Sequence, residues 1–192
     1  PSRAIAAFAG TYADSGYGAV TVSLVRDSLA VDYHGIRATL RHWHYDTFAA
    51  LRNPDDPTFA DQLFTFRTDA RGRIDALLVA IEPAVAPIVM VRQPDARLRD
   101  AAFLATLAGR YRLPTGQVVT VALRGTTLTW QQGAGAPTEL DPDLRLGFVL
   151  RTQRSIAIEF VLDAKGAVTG LRGQQPGAVF EAPRITDGAA AG

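Results

Sequence analysis

The stretch Phe8-Ala-Gly-Thr-Tyr12 recurs as Leu107-Ala-Gly-Arg-Tyr111, at an offset of 99 residues. The same offset aligns Val20-Thr-Val-Ser-Leu24 with Val119-Thr-Val-Ala-Leu123. Self-similarity that keeps its order over several blocks indicates that one structural unit is present twice. The chain of 192 residues is therefore predicted to hold two homologous domains.

Further along, Phe66 aligns with Phe160, and Asp69-Ala-Arg-Gly72 aligns with Asp163-Ala-Lys-Gly166, now at an offset of 94. The smaller offset requires a longer loop in the first copy, and Arg52–Pro57 supplies it. Each Asp-to-Gly block predicts a turn between two strands, because glycine adopts a left-handed backbone conformation at no steric cost.

Alternation of apolar and polar residues indicates β-strands with one buried face. Val20, Val22 and Leu24 alternate with polar residues, so we expect these three side chains to face a core. The stretch Ile156–Leu162 alternates in the same way in the second copy.

Two amphipathic stretches, 3–8 and 100–107, each predict a short helix that leads into the first strand of its copy. Ser2, just before the first stretch, and Asp100, at the start of the second, are the predicted N-caps, because both residue types are favoured there.

The predicted fold class is all-β. About eight short strands per copy favour two tandem eight-stranded antiparallel up-and-down barrels of lipocalin-like form, each with a short N-terminal helix. A pair of β-sandwiches is the alternative. An interior of this size is filled by side chains or holds one small ligand, and the apolar inward positions favour a filled one. The expected boundaries are 1–93 for the first barrel, 94–106 for a linker and short helix, 107–185 for the second barrel and 186–192 for a flexible tail.

Composition excludes several function classes. The formal net charge is +1, with 20 basic and 19 acidic residues spread along the chain, so a nucleic-acid partner is not expected. The absence of cysteine excludes disulfides and thiol catalysis. No apolar run reaches the roughly 20 residues that span a bilayer. The chain begins at Pro1 without a signal-peptide pattern, as expected of a processed product or a fragment.

One segment, His42-Trp43-His44-Tyr45-Asp46, departs from plain strand composition. In an extended strand His42, His44 and Asp46 would share one face, and such ligands suit zinc, iron or manganese. The pattern is a weak metal signal, and the second copy has Leu140-Asp-Pro-Asp-Leu144 in its place. A structural or docking role for the segment is therefore favoured, and no cofactor is expected.

Trp43, Tyr45, Tyr17 and Tyr33 are candidate contact residues, since aromatic side chains are enriched at interfaces, although most aromatics of a barrel belong to its core. Nucleophilic serine chemistry is not predicted. Lys165, the only lysine, follows Leu162 at the distance where Ser-x-x-Lys requires a serine. Glycine-rich phosphate-binding patterns are absent as well.

Several residues of the first copy form a recognisable family pattern. They are Gly10-Thr-Tyr12, Gly16-Tyr-Gly18, Leu24, Leu40-Arg-His-Trp-His-Tyr-Asp-Thr-Phe48 and Phe66. With them the first copy resembles the C-terminal accessory domain (DUF3471-type) of many serine β-lactamase-like hydrolases and penicillin-binding-protein homologues.

The second copy resembles the related lipocalin-like domain that often follows in such proteins. The matching residues are Leu107-Ala-Gly-Arg-Tyr111, Pro114-Thr-Gly116, Glu139-Leu140, Phe148, Glu159-Phe160 and Pro176-Gly177. The resemblance implies a bacterial, non-catalytic module that packs on a catalytic serine-hydrolase domain of the same or an adjacent polypeptide. It also implies export to the periplasm or the medium.

Three hypotheses follow. The first is an accessory module that docks on a serine hydrolase and shapes substrate access, with His42, Trp43, His44, Tyr45, Asp46 and Tyr17 as interface candidates. The second is a lipocalin-like protein that binds a small ligand, which requires an interior cavity of a few hundred Å³. The third is a metal-dependent enzyme built on the two histidines and the aspartate.

Overall fold

The computed structural model describes residues 1–81 and 86–186. The chain divides into two compact units, Pro1–Gln93 and Pro94–Gly192. Each unit holds a closed antiparallel barrel of eight strands, in which every strand pairs with its neighbours in sequence and the last pairs with the first. The predicted all-β fold with two barrels is confirmed, and the sandwich alternative is wrong. Of the predicted flexible tail, residues 187–192 lie outside the described part of the chain.

The first unit begins with a 3-10 helix, Ile5–Phe8, and has a second 3-10 helix, Pro57–Phe59, between its fifth and sixth strands. Its strands are β1 (Gly10–Asp14), β2 (Gly18–Val25), β3 (Ser28–Tyr33), β4 (Ile36–His44), β5 (Thr47–Ala50), β6 (Leu63–Thr68), β7 (Ile74–Val79) and β8 (Ile88–Arg92).

The second unit begins with a 3-10 helix, Ala96–Arg99, and the α-helix α1 (Ala101–Leu107). Its strands are β9 (Gly109–Arg112), β10 (Val118–Arg124), β11 (Thr127–Gln132), β12 (Thr138–Pro142), β13 (Gly147–Leu150), β14 (Gln153–Leu162), β15 (Val168–Gln175) and β16 (Ala178–Ile185).

The up-and-down order gives each barrel two distinct ends. The helix-side end is the end at which the lead-in helix enters, where β2–β3, β4–β5 and β6–β7 turn in the first barrel and β10–β11, β12–β13 and β14–β15 turn in the second. The opposite end, here called the mouth, carries the remaining connections. Successive connections along the chain therefore lie at opposite ends of their barrel.

Tyrosine anchors the lead-in helix in both copies and explains part of the repeated motif. The hydroxyl of Tyr12 donates to the carbonyl oxygen of Phe8 at 2.7 Å, and the hydroxyl of Tyr111 donates to that of Leu107 at 2.6 Å. Both rings are fully buried, so each hydroxyl needs this internal acceptor. The repeated tyrosine therefore caps a helix end from inside the barrel.

An arginine from the last strand completes the same motif. The guanidinium of Arg184 donates to the carbonyl oxygens of Thr106 at 3.0 Å and Ala108 at 2.6 Å. A Cβ at Gly109 would lie only 2.9 Å from the Arg184 Nε, so the glycine makes room for the side chain. In the first copy Arg92 crosses Gly10 in the same way and donates to the carbonyl of Ala9.

A cluster of aromatic rings packs within the otherwise aliphatic first core. Phe8 meets Phe48 and Phe66 edge-to-face, with ring centroids 5.2 and 5.1 Å apart. Val20 and Val22 are buried as predicted, but Leu24 is 45% exposed, so its predicted core position is wrong. Leu24 pairs with Leu29 beside the β2–β3 turn, and Leu29 is buried at 1% exposure, so only the β3 member of this pair belongs to the core.

The predicted N-caps have different outcomes. The Asp100 carboxylate accepts a hydrogen bond from the Ala102 amide at 2.9 Å and caps α1, as predicted. The prediction for Ser2 is wrong, since the N-cap position of the first helix is Ala4 and makes no side-chain cap. Ser2 instead donates to Asp46 in the β4–β5 turn.

The two predicted Asp-to-Gly turns are confirmed. Gly72 and Gly166 have φ of +74° and +83°, which favours glycine. Oδ1 of Asp69 accepts hydrogen bonds from the Arg71 and Arg73 amides, both at 2.9 Å. Asp163 organises its turn in the same manner.

Candidate functional site

The β4–β5 turn at the helix-side end of the first barrel holds five of the six predicted site residues. Tyr45 is 87% exposed and Trp43 is 57% exposed. The His44 ring lies between them, 6.3 Å from the Trp43 ring and 5.7 Å from the Tyr45 ring. The turn thus presents a row of three rings to solvent.

The backbone of Tyr45 is left-handed, with φ of +44°. For a residue with a side chain this conformation costs roughly 1–2 kcal/mol, and it is rare for a bulky residue. Arg26, His34, Asp61 and Arg145 also have positive φ, so this conformation is a feature of the tight connections between strands. What distinguishes Tyr45 among them is a large aromatic side chain that is 87% exposed.

Asp46 ties this turn to the start of the chain. Its Oδ1 accepts from the Ser2 amide and its Oδ2 from the Ser2 hydroxyl, both at 2.7 Å. The Asp46 carbonyl accepts from the Phe66 amide at 2.9 Å. The turn is thus fastened on two sides while its rings stay exposed.

The structure does not assemble His42, His44 and Asp46 into a metal centre. The strand register shifts between His42 and His44, so the predicted shared face is wrong. Nε2 of His42 lies 2.8 Å from the Tyr45 carbonyl oxygen, and the Asp46 carboxylate is bonded to Ser2. Within 1–81 and 86–186, no group of three or more His, Asp or Glu side chains is placed to hold a metal ion.

The sixth predicted site residue, Tyr17, lies apart from the others. It belongs to the β1–β2 connection, at the mouth of the first barrel, whereas the β4–β5 turn is at the helix-side end. Its carbonyl accepts from the Tyr33 hydroxyl at 2.9 Å, and both rings pack against the core. Tyr17 and Tyr33 therefore cover the interior.

Two further apolar residues lie at the same end as the aromatic turn. Leu24 and Val25 border the β2–β3 turn, and Val25 is also exposed. We define the helix-side apolar surface as Leu24, Val25, Trp43 and Tyr45. Neither Leu24 nor Val25 is a predicted site residue, because strand alternation predicts Leu24 as core.

The mouth of the second barrel contains a pocket of about 630 Å³ that the sequence analysis did not predict. Its apolar walls include Leu113, Trp130, Leu150, Ile156 and Phe180. The filled interior expected for this barrel is therefore found only on the helix side, where Tyr111, Phe148 and Phe160 pack together.

Phe180 forms one wall of this pocket because its neighbour is glycine. Gly173 pairs with Phe180 across β15 and β16, and a Cβ on Gly173 would lie 2.0 Å from the Phe180 ring. The ring therefore rests on bare backbone. Opposite it, Trp130 pairs with Thr138 across β11 and β12.

The longer loop of the first copy accounts for one difference between the two mouths. Between β5 and β6 this loop buries Phe59, which is 7% exposed, with its ring centroid 5.6 Å from that of Phe64 and 6.4 Å from that of Tyr33. In the second barrel only Arg151 and Thr152 separate β13 from β14.

Charged groups near the second mouth pair with one another on the outside of the barrel. Asp141 accepts from Arg151 at 2.7 Å and from Arg154 at 2.9 Å. The hydrogen bond from Arg151, followed by its positive charge, holds the pKa of the Asp141 carboxyl below its usual value. None of the described residues that line the pocket carries a formal charge.

Comparison with known proteins relates part of the chain to a domain family. Among the described residues no helix has the length and apolar character needed to cross a membrane. A search of curated proteins found no match to the chain. Residues 1–89, which comprise β1–β7 and the start of β8, match the model of the family described as Domain of unknown function (DUF3471). The match shows that the first barrel is similar to this domain family, whose description assigns no function.

Proposed function

We propose that the chain is a non-catalytic accessory module of a serine β-lactamase-like hydrolase. In this proposal the first barrel docks on the catalytic domain through the helix-side apolar surface. The observation that carries it is Tyr45, an aromatic residue 87% exposed at the apex of a turn where its backbone is left-handed. The family resemblance of the sequence supplies the kind of partner.

Burial of the aromatic turn would contribute to the affinity for a partner. Covering one large apolar side chain contributes about 1.5–3 kcal/mol, and Trp and Tyr are the residues that most often dominate interfaces. Trp43 and Tyr45 are adjacent on a turn that Asp46 fastens to Ser2, so little further ordering is needed on binding.

The attachment of Ser2 also favours this end of the barrel as the contact surface. Both polar groups of Ser2 bind Asp46, one residue after Tyr45. A hydrolase domain joined ahead of Pro1 would therefore be tethered beside the aromatic turn. In such an arrangement the turn could contribute to the rim of the catalytic cleft and shape substrate access.

The catalytic step belongs to the partner in this proposal. Ser-x-x-Lys chemistry requires a serine three residues before a lysine, and Leu162 stands at that distance from Lys165. The imidazole of His42 is engaged with the Tyr45 carbonyl, and the Asp46 carboxylate with Ser2. In this proposal the His42 and Asp46 side chains therefore hold the shape of the turn.

The test is binding of the chain to the proposed partner, a Ser-x-x-Lys hydrolase domain from the same organism, measured by isothermal titration calorimetry. Trp43→Ala and Tyr45→Ala should each weaken association by about tenfold or more, as expected for hot-spot residues. Their melting temperatures should stay near that of the unmodified chain, because both side chains are exposed.

Leu63→Ala is the matched control, because Leu63 is an exposed apolar residue at the start of β6, near the other end of the barrel. This variant should bind normally. Unchanged affinity of the two aromatic variants, or a large fall in their melting temperature, would contradict the proposal.

A further inference from the structure

We propose that the mouth of the second barrel is a binding site for an uncharged, largely apolar small molecule with a flat ring and one hydrogen-bonding end. This inference concerns the second barrel and does not depend on the docking role of the first. It rests on the size of the pocket, the chemistry of its walls and the way Gly173 and Phe180 shape it.

The size of the pocket suits one small molecule. Ligand sites typically enclose 300–1,000 Å³, and this pocket has about 630 Å³. It lies at the end of a closed barrel, so its walls belong to strands whose register is fixed on both sides. A site built on such walls holds its shape before the ligand arrives.

The inner walls are apolar and the outer ones polar. Trp130, Leu150, Ile156 and Phe180 surround the inner part, each at the mouth end of its strand. Phe180 and Ile156 are only partly buried, although they pack against the core, so they keep apolar surface exposed to the pocket. Covering that surface with an apolar ligand removes it from water and stabilises the complex.

The flat ring of the ligand is inferred from one wall. Phe180 lies on the backbone of Gly173, where any Cβ would collide with it at 2.0 Å. This packing holds the Phe180 ring against the neighbouring strand β15, so that the ring presents a smooth face to the pocket. Aromatic rings prefer offset-stacked or edge-to-face contact with such a face, which adds about 0.5–1.5 kcal/mol to the burial of area.

The polar end of the ligand is inferred from neutral amides and hydroxyls at the rim. Gln132, Gln153 and Gln175 line the outer part, and the hydroxyls of Thr138 and Thr152 lie 2.9 Å apart there. These groups can donate and accept hydrogen bonds but offer no counter-charge. A charged ligand would lose hydration without an ion partner, so the site favours an uncharged one.

The probe for the test is N-phenyl-1-naphthylamine, which is uncharged, aromatic and carries one N–H. The chain contains two tryptophans, so Trp43→Phe leaves Trp130, in the pocket wall, as the only indole reporter. In this background the probe should quench Trp130 fluorescence saturably, with one site per chain by calorimetry. The charged analogue 8-anilinonaphthalene-1-sulfonate should bind about tenfold more weakly.

Variants that fill the mouth locate the site. Ala136→Phe and Ala178→Phe each enlarge a lining residue, Ala178 lying on the same face of β16 as Phe180, and each should weaken probe binding about tenfold or more. Ala134→Phe, in the same turn as Ala136, and Val161→Phe, on the outer face of β14, are the matched controls. All four positions are exposed, so the variants should fold, which circular dichroism melts would verify.

Each outcome decides the inference. Saturable quenching that is lost in both filled variants and kept in both controls supports it. No saturable quenching up to the solubility limit of the probe overturns it, and so does equal binding by filled and control variants. Equal or tighter binding of the sulfonate overturns the part that concerns charge.

Discussion

The Nε2 atom of His42 lies 2.8 Å from the carbonyl oxygen of Tyr45. A carbonyl can only accept, so this nitrogen carries the proton and donates. The bond joins a residue of β4 to the turn apex three residues later. It holds Tyr45 in its left-handed conformation, so a histidine that suggests a metal ligand in the sequence instead supports an exposed aromatic residue.

Replacing Tyr45 with glycine should stabilise the first barrel while weakening docking. Glycine at φ of +44° removes a steric cost of roughly 1–2 kcal/mol and adds an entropic cost of about 0.5–1 kcal/mol, so the net gain is up to about 1.5 kcal/mol. Hydrogen exchange of first-barrel amides measures this. Tyr45→Ala retains the Cβ and should be near neutral. A destabilised Tyr45→Gly would show that the tyrosine is structural.

Arg184→Lys should destabilise the second barrel, although both side chains are cationic. The guanidinium of Arg184 spans the Thr106 and Ala108 carbonyls, and one ammonium group cannot reproduce that fork. We expect Arg184→Lys to lower the free energy of unfolding of the second barrel by about 1.5–3 kcal/mol. Urea unfolding followed by Trp130 fluorescence in the Trp43→Phe background reports this barrel.

The matched control for that change is Arg172→Lys. Arg172 forms an exposed pair with Glu181 at 2.9 Å, and exposed pairs contribute about 0–1 kcal/mol. Equal losses from the two variants would show that the contact of Arg184 with the lead-in helix has no special role.

The repeated blocks of the sequence predicted the fold because each encodes a local contact. Tyr12 and Tyr111 each donate to the carbonyl at the equivalent position of their own lead-in helix, and Gly72 and Gly166 make equivalent turns. Alternation along a strand gives the facing of a side chain but not how much of that side chain other residues cover. For that reason Leu24 is predicted as core and is found exposed.

The candidate sites were only partly predictable from sequence. The aromatic turn stands out by composition, but the register shift between His42 and His44 depends on pairing with β5 and leaves no local signal. The second-barrel pocket depends on a short β13–β14 turn and on Gly173 lying opposite Phe180. Both are relations between strands, which a pattern within one strand does not contain.

Alkaline pH should destabilise the second barrel through Tyr111. Burial raises the pKa of the Tyr111 hydroxyl to about 12, against a smaller opposing effect of the Arg184 charge. The folded state therefore holds this proton more tightly than the unfolded chain, whose tyrosines titrate near pH 10. The resulting stability is complete below about pH 10 and is lost as pH rises from there through about 12.

The check is the urea midpoint of the second barrel at about pH 9 and about pH 11.5, on either side of the usual tyrosine pKa. Tyr111→Phe should be less stable at pH 9 by about 1 kcal/mol, since it lacks the bond to Leu107, yet should lose less on going to high pH. Tyr45→Phe, in the other barrel, should behave like the parent. An identical alkaline loss in the Tyr111 variant would refute this assignment.

Gly173→Ala should destabilise the second barrel through its contact with Phe180. The new Cβ would meet the Phe180 ring at 2.0 Å, and such overpacking costs about 1–3 kcal/mol. In a Phe180→Ala background the same change should cost little. A double-mutant cycle on urea unfolding measures the coupling, and additive losses would show that the two residues do not constrain each other.

The most direct test of the docking account is photo-crosslinking from position 45. The photoreactive amino acid p-benzoylphenylalanine replaces Tyr45 in the protein, expressed in its own host, and mass spectrometry identifies the crosslinked peptides. The account predicts peptides from a Ser-x-x-Lys hydrolase domain, with few from the control position 63. Equal yields at the two positions, or crosslinks only to proteins without that motif, would contradict it.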